Sequence, residues 1–177
     1  MSVSVGKPAP TFSVPALVGR KFENLSLQNY LDQGKWVVLY FYPKDFTFVC
    51  PTEIVAFNDK ADDFADRNAA IIGGSTDTVN SHLGWVKADD RLGNLKYPLI
   101  GDLKKEVARA YGVLNEDVGI ALRGTFIIDP TGKLRWAEVN DLDVGRNIDE
   151  VLRVLDALQT GGLCACGWQK GEENLSG

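Results

Sequence analysis

Apolar and polar positions along the chain follow two alternating periods. "KWVVLYFYP" (35–43) is an unbroken apolar, β-rich run closed by a proline, the pattern of a central strand buried on both faces. From Pro51 the period changes. Ile54, Phe57, Ala61 and Phe64 fall on one helical face, and Asp59, Asp62, Asp63 and Asp66 cover the rest. "AAIIGGSTD" (69–77) predicts a second buried strand, its paired glycines read as a tight strand end. Asp77 is placed to cap a helix that buries Val79, Leu83 and Val86. "YPLIGD" (97–102) predicts a short strand, followed by a helix through Val107, Ala108 and Tyr111 that stops at Gly112.

"GTFIIDPTGKLRWAEV" (124–139) reads as a hairpin, with Asp-Pro-Thr-Gly supplying the turn. "NIDEVLRVLDALQTGG" (147–162) carries the clearest helix signal. Asn147 and Glu150 have capping-box spacing, Ile148, Val151, Leu152, Leu155 and Leu158 form the stripe, and Gly161-Gly162 ends it. Strand–helix alternation followed by a hairpin and a final helix indicates an α/β sheet covered by helices and finished by an antiparallel pair. No internal repeat or low-complexity linker interrupts it. Residues 1–162 are expected to form one domain; residues 163–177, which show no period, are expected to be a mobile tail.

Composition and charge remove whole classes of function. A chain of 177 residues, 45% hydrophobic and 24% charged, can bury a core without staples. A net charge of −5 and a pI near 4.9 argue against nucleic acid or an anionic membrane as partner. "MSVSVGKPAPTFSV" is too polar and proline-broken for a signal peptide. No apolar run approaches the roughly 20 residues of a membrane span. A cytoplasmic location is expected, and in that reducing compartment three cysteines point to chemistry or metal rather than a disulfide framework.

Cys50 lies where the first strand turns into a helix, with Pro51 suited to the first helical position, Cys50 then at the N-cap and Glu53 at N3. The boundary could equally fall one turn earlier, near Thr47. In either case the sulfur sits by unpaired N–H groups and the positive end of the helix dipole, which favour the reactive thiolate. The site also falls beyond the carboxyl end of a central strand, where open α/β sheets place their ligands. The alternative is a small buried hydrophobe, and local features leave both open. Other chemistries lack parts. A cysteine hydrolase needs a histidine base, and the lone His82, on the next helix, reads better as a satisfied structural residue. A thioredoxin-type dithiol would need a cysteine where Glu53 stands, and a zinc site would have to gather Cys50, Cys164, Cys166 and His82 from distant places. Attack on a weak peroxide bond needs no base. It leaves a sulfenic acid that a second thiol can trap, which gives the remote Cys164 or Cys166 a purpose.

"PKDFTFVCPTE" resembles the active-site segment of the typical two-cysteine peroxiredoxins, P-x-x-x-T-x-x-C, here Pro43, Thr47 and Cys50. "LRGTFIIDPTG" is similar to the family's second signature, with Arg123 at its arginine position. "VGRNIDEVLRVLDALQ" and "LCACGWQKGE" resemble the alkyl hydroperoxide reductase C branch, in the form that carries two closely spaced tail cysteines. The resemblance implies a thioredoxin-like α/β fold with an N-terminal extension and a mixed central sheet flanked by helices. It implies an antioxidant thiol peroxidase acting on hydrogen peroxide and alkyl hydroperoxides, with no metal or organic cofactor. Cys50 would be the peroxidatic cysteine, Thr47 would hold peroxide and thiolate, Arg123 would favour the thiolate and stabilise the O–O cleavage, and Pro43 would shield the sulfur. Without the resemblance, Thr47 reads as a cap, Pro43 as a strand terminator and Arg123 as a surface ion-pair partner.

The same resemblance makes Cys164 the resolving cysteine, supplied by the other subunit of a dimer, with dimers assembled into a decamer or dodecamer ring. A thioredoxin-like, alkyl hydroperoxidase D-like or flavin-linked protein would return the reducing equivalents. Cys166 departs from most family tails, so the division of labour between Cys164 and Cys166 stays open. The chain also has no Gly-Gly-Leu-Gly insert and no Tyr-Phe ending, features of peroxide-sensitive eukaryotic members. Two rivals remain: a general disulfide oxidoreductase, disfavoured by Glu53, and a redox-regulated chaperone or ring-forming structural protein.

Overall fold

The structure is a computed structural model and describes residues 3–177. The chain forms two compact units that part between Arg146 and Asn147. In the first, a seven-stranded mixed sheet is found among the described residues: β1 (Ser13–Val18), β2 (Lys21–Ser26), β3 (Trp36–Phe41), β4 (Ala69–Ser75), β5 (Leu99–Gly101), β8 (Arg123–Ile128) and β9 (Leu134–Asn140), in the order β2-β1-β5-β4-β3-β8-β9. A two-residue ladder, β6 (Leu114–Asn115) with β7 (Ile120–Ala121), stands apart. β3 and β4 are parallel, as are β4 and β5, and the other pairs are antiparallel. The helices are α1 (Leu27–Leu31), α2 (Cys50–Asp59), α3 (Ala61–Asp66), α4 (Val79–Ala88), α5 (Glu106–Ala110) and, in the second unit, α6 (Ile148–Thr160).

The apolar run at 35–43 is the central strand β3, with a neighbour on each side. Its pleat serves two layers. Val37, Leu39 and Phe41 enter a core with Ile72, Ile100, Tyr111, Phe126 and Ile128. The alternate residues Tyr40 and Tyr42 meet helical side chains: Tyr40 stacks on Phe57 of α2 at 4.2 Å, and Tyr42 lies 6.0 Å from Trp85 of α4.

Several elements differ from expectation for identifiable reasons. The hairpin β1–β2 carries little hydropathic signal because β2 is an exposed edge in which Leu25 alone is buried. The helix expected through residue 66 breaks at Lys60 (φ −96°, ψ 6°), which separates α2 from α3. Thr78, not Asp77, caps α4 by accepting from the Ser81 N–H, and the buried face of α4 is His82, Trp85 and Val86. Gly73 and Gly74 lie inside β4 rather than at a tight end. A Cβ at Gly73 would stand 2.7 Å from the Tyr40 ring and hydroxyl, so the glycine makes room for that tyrosine. The Asp-Pro-Thr-Gly turn forms as expected: the Asp129 carboxylate accepts from the N–H groups of Thr131 and Lys133, and Gly132 takes φ +82°.

In the second unit, Asn147 Oδ1 accepts from the N–H groups of Asp149 and Glu150, and Gly161 (φ +69°) closes α6 in the left-handed conformation. Glu150 does not complete a capping box; its carboxylate takes a bidentate bond from Arg153. Beyond α6 the chain follows a definite path. Leu175 N–H bonds to Leu163 O, Trp168 is buried, and its carbonyl accepts from Arg153.

Candidate active site

The structure places Cys50 at the first residue of α2, one position later than the N-cap, which is Val49. Pro51 at the second position has no N–H to lose there, and no side chain caps the helix. The positive end of the helix is therefore left for whatever Cys50 carries. The sulfur is fully buried and lies 3.5 Å from Arg123 Nη1.

Arg123 is not a surface residue; it is 3% exposed at the start of β8. Its Nε donates to Leu142 O at 2.7 Å, which turns Nη1 toward both Cys50 and Glu53 Oε2, the latter at 2.6 Å. Arg146 grips the same carboxylate from the other side, with Nε on Oε1 at 3.1 Å, Nη2 on Oε2 at 2.9 Å and its own N–H on Oε1 at 3.0 Å. Nη1 of Arg146 also bonds Gly124 O. Two buried guanidiniums thus share one carboxylate, so the cluster carries one surplus positive charge. A thiolate on Cys50 restores neutrality in a place where unpaired charge is expensive.

Residues 43–49 form the loop that leads into α2 and Cys50. Pro43 is buried, and Thr47 is half-buried with its hydroxyl donated to Lys44 O at 3.0 Å. That bond leaves the Thr47 oxygen as an acceptor. Asp45 fixes the loop from below: its carboxylate meets His82 Nδ1 at 2.8 Å and accepts from the Tyr42 hydroxyl, and its N–H bonds Asp77. His82 is completely buried, with Nε2 on Ile100 O at 3.0 Å. Both ring nitrogens therefore face acceptors, an arrangement that suits the doubly protonated ring. Burial opposes that charge, but the bond and charge of Asp45, with smaller help from Ile100 O and Asp77, raise the histidine pKa above its ordinary value. His82 is the satisfied structural histidine expected from the sequence.

Cys164 and Cys166 lie in the second unit, the former half-buried and the latter exposed. Cys164 Sγ donates to Ala157 O at 3.6 Å and stands 3.5 Å from Thr160 Oγ1.

The AhpC/TSA family profile matches residues 5–137. This chain is a peroxiredoxin of that family. It is 50% identical to peroxiredoxin tpx1 of Schizosaccharomyces pombe, over 99% of this chain and 94% of that one. Among solved structures it is similar to the reduced 2-Cys peroxiredoxin of Plasmodium vivax, with TM-score 0.91, 40% identity, 96% of this chain and 91% of that one. It also resembles Mycobacterium tuberculosis AhpC, with TM-score 0.85, 41% identity, 96% of this chain and all of that one. The thioredoxin-like fold and the two-cysteine, AhpC-type assignment follow. No described helix is long and apolar enough to cross a membrane.

For a peroxiredoxin, the structure brings Cys50 and Arg123 into direct contact and sets Pro43 and Thr47 in the adjoining loop. Sequence reasoning missed two members of the cluster. Glu53 was visible only as a helix-start residue, and its signal is its position three after Cys50. Arg146 sits in a polar loop ahead of the Asn147 cap and carries no local signal at all.

Proposed function

We propose that this thiol peroxidase reduces hydrogen peroxide and alkyl hydroperoxides through Cys50, with Cys164 of a second subunit as resolving thiol. The observation that supports it most is the surplus positive charge of the Glu53–Arg123–Arg146 cluster, with Arg123 Nη1 3.5 Å from Cys50 Sγ. The Cys50 thiolate attacks one peroxide oxygen, and the O–O bond breaks. The sulfur becomes a sulfenic acid, and the departing oxyanion takes a proton to leave as water or an alcohol. Arg123 stabilises charge as the bond stretches. Thr47, its own proton engaged by Lys44 O, accepts the hydrogen bond of the peroxide O–H. Buried Pro43 keeps water from the sulfur.

Cys50–SOH then condenses with the Cys164 thiol. An S–S bond forms, the S–O bond breaks, and water leaves with the thiol proton. Residues 1–162 form the catalytic domain and 163–177 the tail that brings this thiol. The Cys166 thiolate, two residues away, attacks Cys164 in the Cys50–Cys164 disulfide, so that a Cys164–Cys166 bond forms and Cys50 leaves as thiolate. An external dithiol protein of thioredoxin-like, alkyl hydroperoxidase D-like or flavin-linked type then reduces the new bond and is itself oxidised to a disulfide. The working form is a dimer within a decamer or dodecamer ring in the cytoplasm, needing no metal or organic cofactor. The test is peroxide consumption by dilute protein with each type of reductant, with non-reducing gels alongside. Turnover with at least one dithiol reductant and a peroxide-dependent dimer band are expected. Insulin reduction without peroxide consumption would instead indicate a general oxidoreductase.

A further inference from the structure

Tyr40 touches both supports of the Cys50 site. It is fully buried on β3, and the Arg146 guanidinium lies over its ring at 4.9 Å. The Arg146 side chain has no solvent exposure, so the ring face is what remains to it on that side of its bonds to Glu53. The opposite support runs through the phenol. Tyr97 donates to Ile54 O of α2 at 2.8 Å, so the 2.7 Å bond between the two tyrosines has Tyr40 as donor. Glu53 closes the first turn of α2 and Ile54 follows it directly. One is anchored by a guanidinium resting on the Tyr40 ring, the other by a phenol bonded to the Tyr40 hydroxyl.

Three further features fit this arrangement. Gly73, paired with Tyr40 across β3–β4, is the residue whose missing side chain makes room for the phenol. Phe57 of α2 stacks on Tyr40 and fixes its plane. Burial above all raises the pKa of both Tyr40 and Tyr97, so each stays a neutral phenol able to donate.

We infer that Tyr40 is a positioning residue with two separable actions: its ring sets Arg146, and through Glu53 the aim of Arg123 at Cys50, while its bond to Tyr97 secures α2 at Ile54. The second action bears on resolution. Cys50 has no exposed surface, so forming a disulfide with another chain requires the first turn of α2 to leave its seat. That turn has no side-chain cap and includes Pro51, and the bonds at Glu53 and Ile54 are where its opening meets resistance. The inference rests on Cys50 as peroxidatic and Cys164 as resolving residue.

Stopped-flow fluorescence after stoichiometric hydrogen peroxide separates the two steps: a first phase that scales with peroxide and a second, disulfide formation, that does not. Tyr40→Leu removes the ring and is expected to slow the first phase roughly tenfold, inside the span between exposed and desolvated cation–π contacts. Tyr40→Phe keeps the ring and is expected to restore that phase to within about twofold of wild type. Tyr97→Phe is expected to leave the first phase alone and speed the second about three- to tenfold, the worth of one neutral hydrogen bond. A Tyr40→Leu protein with a wild-type first phase, or a Tyr97→Phe protein with an unchanged second phase, overturns the inference. Cys50→Ser and Cys164→Ser controls isolate the underlying reading. If the first retains the first phase, or the second retains the second phase, the thiol assignments fail whatever the tyrosine variants show.

Discussion

Replacing Arg123 with alanine removes a side chain that contacts both Cys50 and Glu53 through a single nitrogen, at 3.5 and 2.6 Å. What remains is one guanidinium facing one carboxylate, a neutral pair to which a thiolate would add uncompensated negative charge. Two unit charges 3.5 Å apart attract by about 5 kcal/mol at an effective dielectric near 20, which bounds the loss from above because Arg146 still acts on the site. Loss of one preorganised donor costs roughly 10²–10³ in rate, about 3–4 kcal/mol, which lies within that bound. The second-order rate constant with hydrogen peroxide, from stopped-flow at neutral pH, is expected to fall by that factor. Arg123→Lys keeps the charge but cannot also reach Leu142 O, and should recover only part of it. Breaking a buried pair costs about 3–5 kcal/mol of stability, so near-UV circular dichroism must first show a native fold. A folded Arg123→Ala protein reacting within about threefold of wild type would refute the electrostatic reasoning.

The tail cysteines should separate in peroxide turnover driven by a protein reductant: Cys164→Ser should nearly stop the cycle and leave Cys50 open to sulfinic acid, seen by mass spectrometry. Cys166→Ser should preserve the first disulfide and slow its reduction, and reversed phenotypes would exchange the two roles. The protonated His82 contributes stability that is complete below the unfolded histidine pKa, near 6.5, and is lost as pH rises through the higher native value. Urea unfolding from pH 6 to 9 should show that decline, and it should flatten in His82→Gln. Gly73→Ala places a methyl 2.7 Å from the Tyr40 ring and 2.9 Å from Leu99, and should cost about 1–3 kcal/mol in the same urea assay.

Local signals made much of the architecture legible. The β3 run, the start of α2 to within one residue of its place at Cys50, the 124–139 hairpin and the caps of α6 each follow from residues adjacent in sequence. What stayed hidden depends on contacts formed only by folding. Arg146 reaches Glu53 across 93 positions, and in sequence it looks like any solvated arginine. Arg123 reads as a surface residue until Leu142 O and Glu53 are seen to bury it; the family resemblance, not its spacing, marked it. The glycines of β4 read as a tight strand end because the side chains filling their space lie on neighbouring strands. His82 was recognisable as structural, but its partner Asp45, in the loop that also carries Thr47, was not.

Every step of the proposed cycle starts from Cys50 as the group that meets peroxide. Cys50→Ser is nearly isosteric and leaves Glu53, Arg123 and Arg146 in place, so the fold should persist. With limiting hydrogen peroxide and a competent dithiol reductant, peroxide consumption by this variant is expected to fall to the uncatalysed background. Consumption at a tenth of the wild-type rate or more by a folded Cys50→Ser protein would contradict the account.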